Sequence, residues 1–188
     1  MISGFLKDYI VKPIFIFIDK KMRARMGITP LPGSAYNLIF MNYTTFTGEA
    51  IDFQDGTRVE PGDRIGELHF SNLGIASGKL GDTTITSELQ LLSIVRSEIA
   101  LLSTLVKENK IAQDIKAFYS ISLFGPGAKR IGFVLREIPQ TFHVKRIALW
   151  MSILRKVFSP AFTNRSKKHR RHTRACEIWI TRKKLLEM

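Results

Sequence analysis

Glu67 and His69, two residues apart in the segment Arg64-Ile65-Gly66-Glu67-Leu68-His69-Phe70-Ser71, are the side chains of this sequence best placed to do chemistry. The segment alternates, so period two puts Ile65, Glu67, His69 and Ser71 on one face of a strand and Gly66, Leu68 and Phe70 on the other. A carboxylate beside an imidazole can orient the ring and raise its basicity, which a general base requires. Asp63 and Glu67 are the candidate orienting carboxylates, Arg64 or Arg182 a candidate oxyanion or phosphate clamp, and Asn72 a polar neighbour just past the strand. The same pattern also fits the polar face of a sheet, because local spacing marks no nucleophile or second acid.

Other constellations carry less. His169 and His172 have an H-x-x-H spacing, but they sit among cations with no nearby carboxylate, a poor environment for a divalent ion, so no metal site is expected. Cys176, the single cysteine, reads as a small packing residue, although Arg174 could lower its pKa. Gly125-Pro126-Gly127-Ala128-Lys129-Arg130 lacks the G-x-x-x-x-G-K-[ST] pattern of a phosphate cradle and reads as a hairpin turn. No cofactor is implied. The strongest electrostatic signal is the run from Arg165 to Arg174, in which Arg165, Lys167, Lys168, Arg170, Arg171 and Arg174 supply six permanent cations. Such a run can neutralise several phosphates or attract acidic lipid at about 1 kcal/mol per basic residue. It contains no aromatics to stack on bases, so nucleic acid is possible but not favoured. A solvated surface loop is the plain alternative.

These residues need elements to hold them. Residues 3–25 read as one amphipathic helix or two short ones, with Pro13 a kink or restart, and the cationic Lys20–Arg25 behind the aromatics Phe5, Phe15 and Phe17. That segment is a plausible shallow interfacial anchor, or a core-packing helix. Strands are expected at about 34–44, 48–53, 57–59 and 64–71, joined by the Asp55-Gly56 and Pro61-Gly62-Asp63 turns. A loop is expected at 74–82. Ser87 and Gln90 have the spacing of a capping box ahead of a helix over 88–108, on which Leu91, Val95, Leu102 and Val106 recur. A hairpin over 118–137, a helix over 142–158, the basic loop 163–174 and a last strand over 177–181 complete the chain. The expected fold is α+β, an antiparallel sheet of about five to six strands packed on two or three amphipathic helices. Its organisation is an N-terminal helical segment, 1–30, followed by one domain, 31–188.

At 188 residues the chain is long enough to bury a substantial core. Its formal net charge of +13 is concentrated: residues 1–140 hold 16 Lys/Arg against 14 Asp/Glu, and residues 141–188 hold 13 against 2. A field confined to one end favours an anionic partner there, whether lipid, envelope polymer or nucleic acid. One cysteine excludes an intramolecular disulfide and fits a reducing compartment. No secretion signal is read at the N-terminus, and a cytoplasmic location is expected, with attachment at the inner membrane surface as an option.

Several of these segments together resemble the YkoP-like domain of bacteria. The resemblance is carried by the Asp55-Gly56-Thr57 turn, the Gly62-Asp63-x-Ile65-x-Glu67-Leu68-His69 strand with Asn72, Arg130-Ile131-Gly132-Phe133, and Glu177-Ile178-Trp179-Ile180-Thr181-Arg182-Lys183-x-Leu185. It spans roughly residues 35–186. It marks Asp63, His69, Asn72, Trp179 and Arg182 as shared positions, of which Trp179 and Arg182 could equally be structural. A similar domain follows the catalytic domain in some polysaccharide deacetylases, so the resemblance implies a link to envelope polysaccharide metabolism and an association with such enzymes. It lends no deacetylase chemistry, because the paired aspartates and H-x-x-x-H ligands of those catalytic domains are absent here. The expectation is an accessory binding domain rather than an enzyme, taking an anionic partner through its basic C-terminal region. The alternative is a small enzyme for a sugar or phosphorylated envelope precursor, with His69 as general base.

Overall fold

A computed structural model of the protein describes residues 12–122, 125–138, 149 and 176–188. The expected helix over 142–158, the basic loop 163–174 with all six of its cations, and His143, His169 and His172 lie outside the described residues.

Helix α1 spans Lys12–Arg25 and stops at Gly27, whose φ of +63° is the left-handed cap. There the Ile28 amide donates to the Arg23 carbonyl and the Gly27 amide to that of Ala24, closing the helix end. Strands β1 (Thr29–Pro30), β2 (Ile39–Thr45), β3 (Ile51–Asp52), β4 (Arg58–Val59) and β5 (Arg64–Phe70) follow. Next come α2 (Asn72–Ser77), β6 (Lys79–Leu80), β7 (Thr83–Thr84), α3 (Glu88–Lys107) and β8 (Ala117–Ser122). The chain closes with α4 (Gly125–Lys129), β9 (Val134–Glu137), β10 (Cys176–Thr181) and α5 (Arg182–Leu186).

Among the described residues, six strands form one sheet in the order β1-β2-β5-β8-β10-β9. Every pairing is antiparallel except β5–β8, so the fold is α+β with a mixed sheet. Two local expectations fail. The 118–137 hairpin does not form: Gly125–Lys129 is helical, and β10 inserts between β8 and β9 and pairs with both. Within the expected 74–82 loop, α2 forms because the Ser71 hydroxyl accepts from the Gly74 amide and Gly78 caps the other end at φ +72°. The Ser87 cap is present, its hydroxyl accepting from the Gln90 amide. The Gln90 side chain instead accepts from Thr86, so the box is half made.

One sheet face carries the main core. Helix α3 lays Ile94, Ile99, Leu102, Leu105 and Val106 against Met41, Leu68, Phe118, Ile178 and Ile180. This helix has the length and hydropathy to cross a membrane, yet one side of it is packed in the core. Its buried Glu98 accepts from the Ser34 hydroxyl at 2.6 Å and the Ile39 amide at 3.2 Å, which ties α3 to the start of β2. Gly66 lets β5 and β8 close up: a Cβ there would stand 2.4 Å from the Phe118 ring, which is fully buried. Gly66→Ala is therefore expected to destabilise the fold by about 1–3 kcal/mol through overpacking, read from urea unfolding. A midpoint equal to that of the unsubstituted protein would show that Phe118 yields freely.

Candidate functional site

The opposite sheet face holds Glu67 and His69, and it is not uniformly polar. At one end Ile51, Phe53, Val59, Ile65, Ala117 and Trp179 make a second buried cluster, with Phe46 and Tyr119 against it. Ile65 belongs to this cluster, so the expected polar face of β5 is half core.

Next to it runs a polar row set by register. Asn42 lies across from Glu67, Glu67 from Tyr119, and Tyr119 from Trp179. His69 Nε2 lies 3.1 Å from Asn42 Oδ1 and 3.5 Å from Glu67 Oε2. With the proton on Nε2, the ring donates to Asn42 Oδ1 and stands within ion-pair distance of Glu67. The His69 hydrogen bond holds the Glu67 carboxyl below its ordinary value; burial opposes this, while Tyr119 and Asn42 reinforce it. Burial, then the Glu67 charge, drives the Tyr119 phenol upward, so it stays protonated beside Glu67. Tyr119 in turn stacks on Trp179 at 5.0 Å between ring centroids. Asn42 and Tyr119 escaped sequence reading because only strand order brings them beside Glu67. Asn72 opens α2, directly after the N-cap Ser71 that follows this strand.

The other expected partners lie elsewhere. Asp63 closes the turn before β5, accepting from the Glu60 amide and from Lys116 Nζ at 2.8 Å. Six residues separate it from His69, about 20 Å along a strand. Arg64 pairs with Asp114 and lies over the Tyr43 ring, 4.7 Å from its centroid. Arg182 Nη1 donates to the Ala112 carbonyl at 2.9 Å, and Nη2 to that of Val106 at 3.5 Å, near the end of α3. Trp179 is 1% exposed, so it is a core residue and not a ligand platform. Cys176 donates to the Ser122 carbonyl, and burial pushes its thiol up, away from nucleophilic character. Among the described residues no group of three or more His, Cys, Asp or Glu could hold a metal.

The segments that suggested a family meet physically. Asp55 takes the Thr181 hydroxyl across 126 positions of sequence, and Lys183 Nζ donates to the Asp55 carbonyl at 2.6 Å. The Arg182 amide donates to the Lys116 carbonyl, whose own side chain holds Asp63. The motif is thus a clasp between the β3–β4 turn, the β5 entry and the C-terminal strand.

Chemically, the row is a satisfied hydrogen-bond network that can offer donors and acceptors but contains no nucleophile. Glu67 also makes stability depend on pH. Its folded pKa lies below the usual 4.5, so ionised Glu67 stabilises the fold above that value and the contribution is lost as pH falls through the lower folded one. Asp55 and Asp63 act in the same direction. Glu67→Gln should therefore show a smaller drop in Tm than the unsubstituted protein between about pH 5 and 3; parallel curves would contradict the network.

A second feature stands on α1. Ile14, Phe17 and Ile18 share one face at i, i+3 and i+4 and are exposed, Phe17 at 65%. Lys21 continues that face, and Lys20, Lys21 and Arg25 are exposed. Arg23 lies over the Phe40 ring, 4.1 Å from its centroid, which seats the helix end on the sheet. The apolar side is left outward.

The family model described as the YkoP domain matches residues 7–188. The match reaches further toward the N-terminus than the motifs alone and includes all of α1. No curated protein and no solved structure matches the chain.

Proposed function

The chain belongs to the YkoP domain family, and from that premise we propose that it is an accessory binding domain attached peripherally to an anionic membrane surface. The observation that carries the reading is α1: Ile14, Phe17 and Ile18 exposed on one face, continued by Lys20, Lys21 and Arg25. An apolar stripe bordered by cations suits the boundary between acyl chains and acidic headgroups. Each large side chain that leaves water there contributes about 1.5–3 kcal/mol, and each cation about 1 kcal/mol. The 13 Lys/Arg against 2 Asp/Glu in residues 141–188 add a second, longer-range attraction. Attachment there would bring an envelope polysaccharide enzyme or its anionic substrate within reach of the domain. Flotation with vesicles of phosphatidylglycerol and phosphatidylcholine tests the reading. Retention is expected at low salt, weaker retention at high salt, and little with phosphatidylcholine alone; no retention on acidic vesicles would reject it.

A second reading, a small enzyme with His69 as base, draws on the assembly of His69 with Glu67, Asn42 and Tyr119. It loses Asp63, Arg64 and Arg182, which are committed to other contacts. His69→Ala with intact fold and intact ligand binding would remove it.

A further inference from the structure

We infer that a pocket between α3, α5 and the turn after α4 binds a single-chain amphiphile with an anionic phosphate or carboxylate head. The pocket is an open groove of about 410 Å³, lined by Arg96 and Ile99 of α3, Arg130, Ile131 and Gly132 of the turn, and Lys184 and Met188 at the C-terminal end. That volume is within the usual range for small-molecule sites. Ile99, Ile131 and Met188 give it an apolar lining, while Arg96, Arg130 and Lys184 supply three cations.

The turn is fixed before any ligand arrives. Gly132 takes φ +97°, its amide donates to the Lys129 carbonyl, and the Phe133 amide donates to that of Ala128. Ala128 and Phe133 are buried in the main core, so Arg130 and Ile131 are presented from an anchored loop. Arg96 and Arg130 are exposed and make no ion pair among the described residues. Lys184 lies 3.5 Å from Glu187, a mutually exposed contact that an arriving anion can displace. Two guanidinium groups with no ion pair among the described residues, beside an apolar lining, match a head that accepts forked hydrogen bonds and a chain that leaves water.

The site uses different elements from α1, and its test uses monomeric probes without vesicles. Dodecyl phosphate, below its micelle concentration, is titrated into the full chain and followed by the methyl resonances of Ile131 and Met188. Dodecanol and inorganic phosphate are titrated separately. The expected result is saturable binding of dodecyl phosphate with shifts at both methyls. Dodecanol and inorganic phosphate should bind at least tenfold more weakly, and R96A/R130A should lose at least tenfold in affinity. Because both arginines are exposed, Tm should hold in that variant. Methyls that do not shift, an equally tight dodecanol or phosphate, or an unchanged R96A/R130A would each overturn the inference.

Discussion

Trp179→Ala is expected to destabilise the protein by about 3–5 kcal/mol, the largest single effect in the fold. The indole is 1% exposed and is the largest fully buried side chain among the described residues. Phe46 meets it edge-on at 5.7 Å, Phe53 at 6.0 Å, and Tyr119 stacks on it at 5.0 Å between centroids. Its Nε1 donates to Glu177 at 3.0 Å, so truncation also removes that hydrogen bond and leaves the carboxylate with Arg136 at 3.8 Å. The second cluster is small, with five other buried members, and has little to repack with. Trp179→Phe should recover part of the loss by restoring ring contacts without the donor. Chemical unfolding measures both, and a cost under about 1 kcal/mol for the alanine variant would mean the cluster collapses around the cavity. Tyr119 packs on this ring, so the same variant should loosen the row that holds Glu67.

I14E/F17E is expected to lower partition onto acidic vesicles about a hundredfold while leaving Tm nearly unchanged. Two apolar side chains withdrawn from the interface account for about 3 kcal/mol, and each tenfold in partition corresponds to about 1.4 kcal/mol. Both positions are exposed, so the folded state makes few contacts that the substitutions can break. A control charge reversal at Lys20 and Lys21 should weaken binding mainly at low salt, because screening removes that attraction. Equal partition of I14E/F17E and the unsubstituted protein would assign vesicle binding to some other surface. If the apolar face instead pairs with a second copy of the chain, the double variant would abolish a dimer and leave flotation intact.

How much of this could be read in advance depended on the range of the interactions involved. The α3 helix was legible because its signals are local: Ser87 caps it, and Leu91, Val95, Leu102 and Val106 keep helical spacing. The alternation of β5 and the turns at Gly56 and Gly62, with φ of +83° and +98°, are local too. Illegible features depended on strand order. The insertion of β10 between β8 and β9 turned an apparent hairpin into two strands that never touch, and β5–β8 became a parallel seam. The same seam put Tyr119 beside Glu67, whereas Asp63, close in sequence, was drawn to Lys116. Glu98 carries no local signal of burial; its burial follows from the docking of β2 on α3. The shared family segments were legible as sequence, but their clasp across Asp55 and Thr181 was not.

The most direct test of attachment through α1 is a fluorophore placed on the apolar stripe itself. Phe17→Cys in a Cys176→Ser background, labelled with an environment-sensitive nitrobenzoxadiazole dye, is mixed with phosphatidylglycerol-containing vesicles at low salt. Burial of position 17 in the headgroup boundary predicts a blue-shifted, brighter emission that is quenched by brominated acyl chains and absent with phosphatidylcholine alone. A labelled protein that floats with the vesicles while its emission stays that of a water-exposed dye, or that does not float at all, would contradict the account.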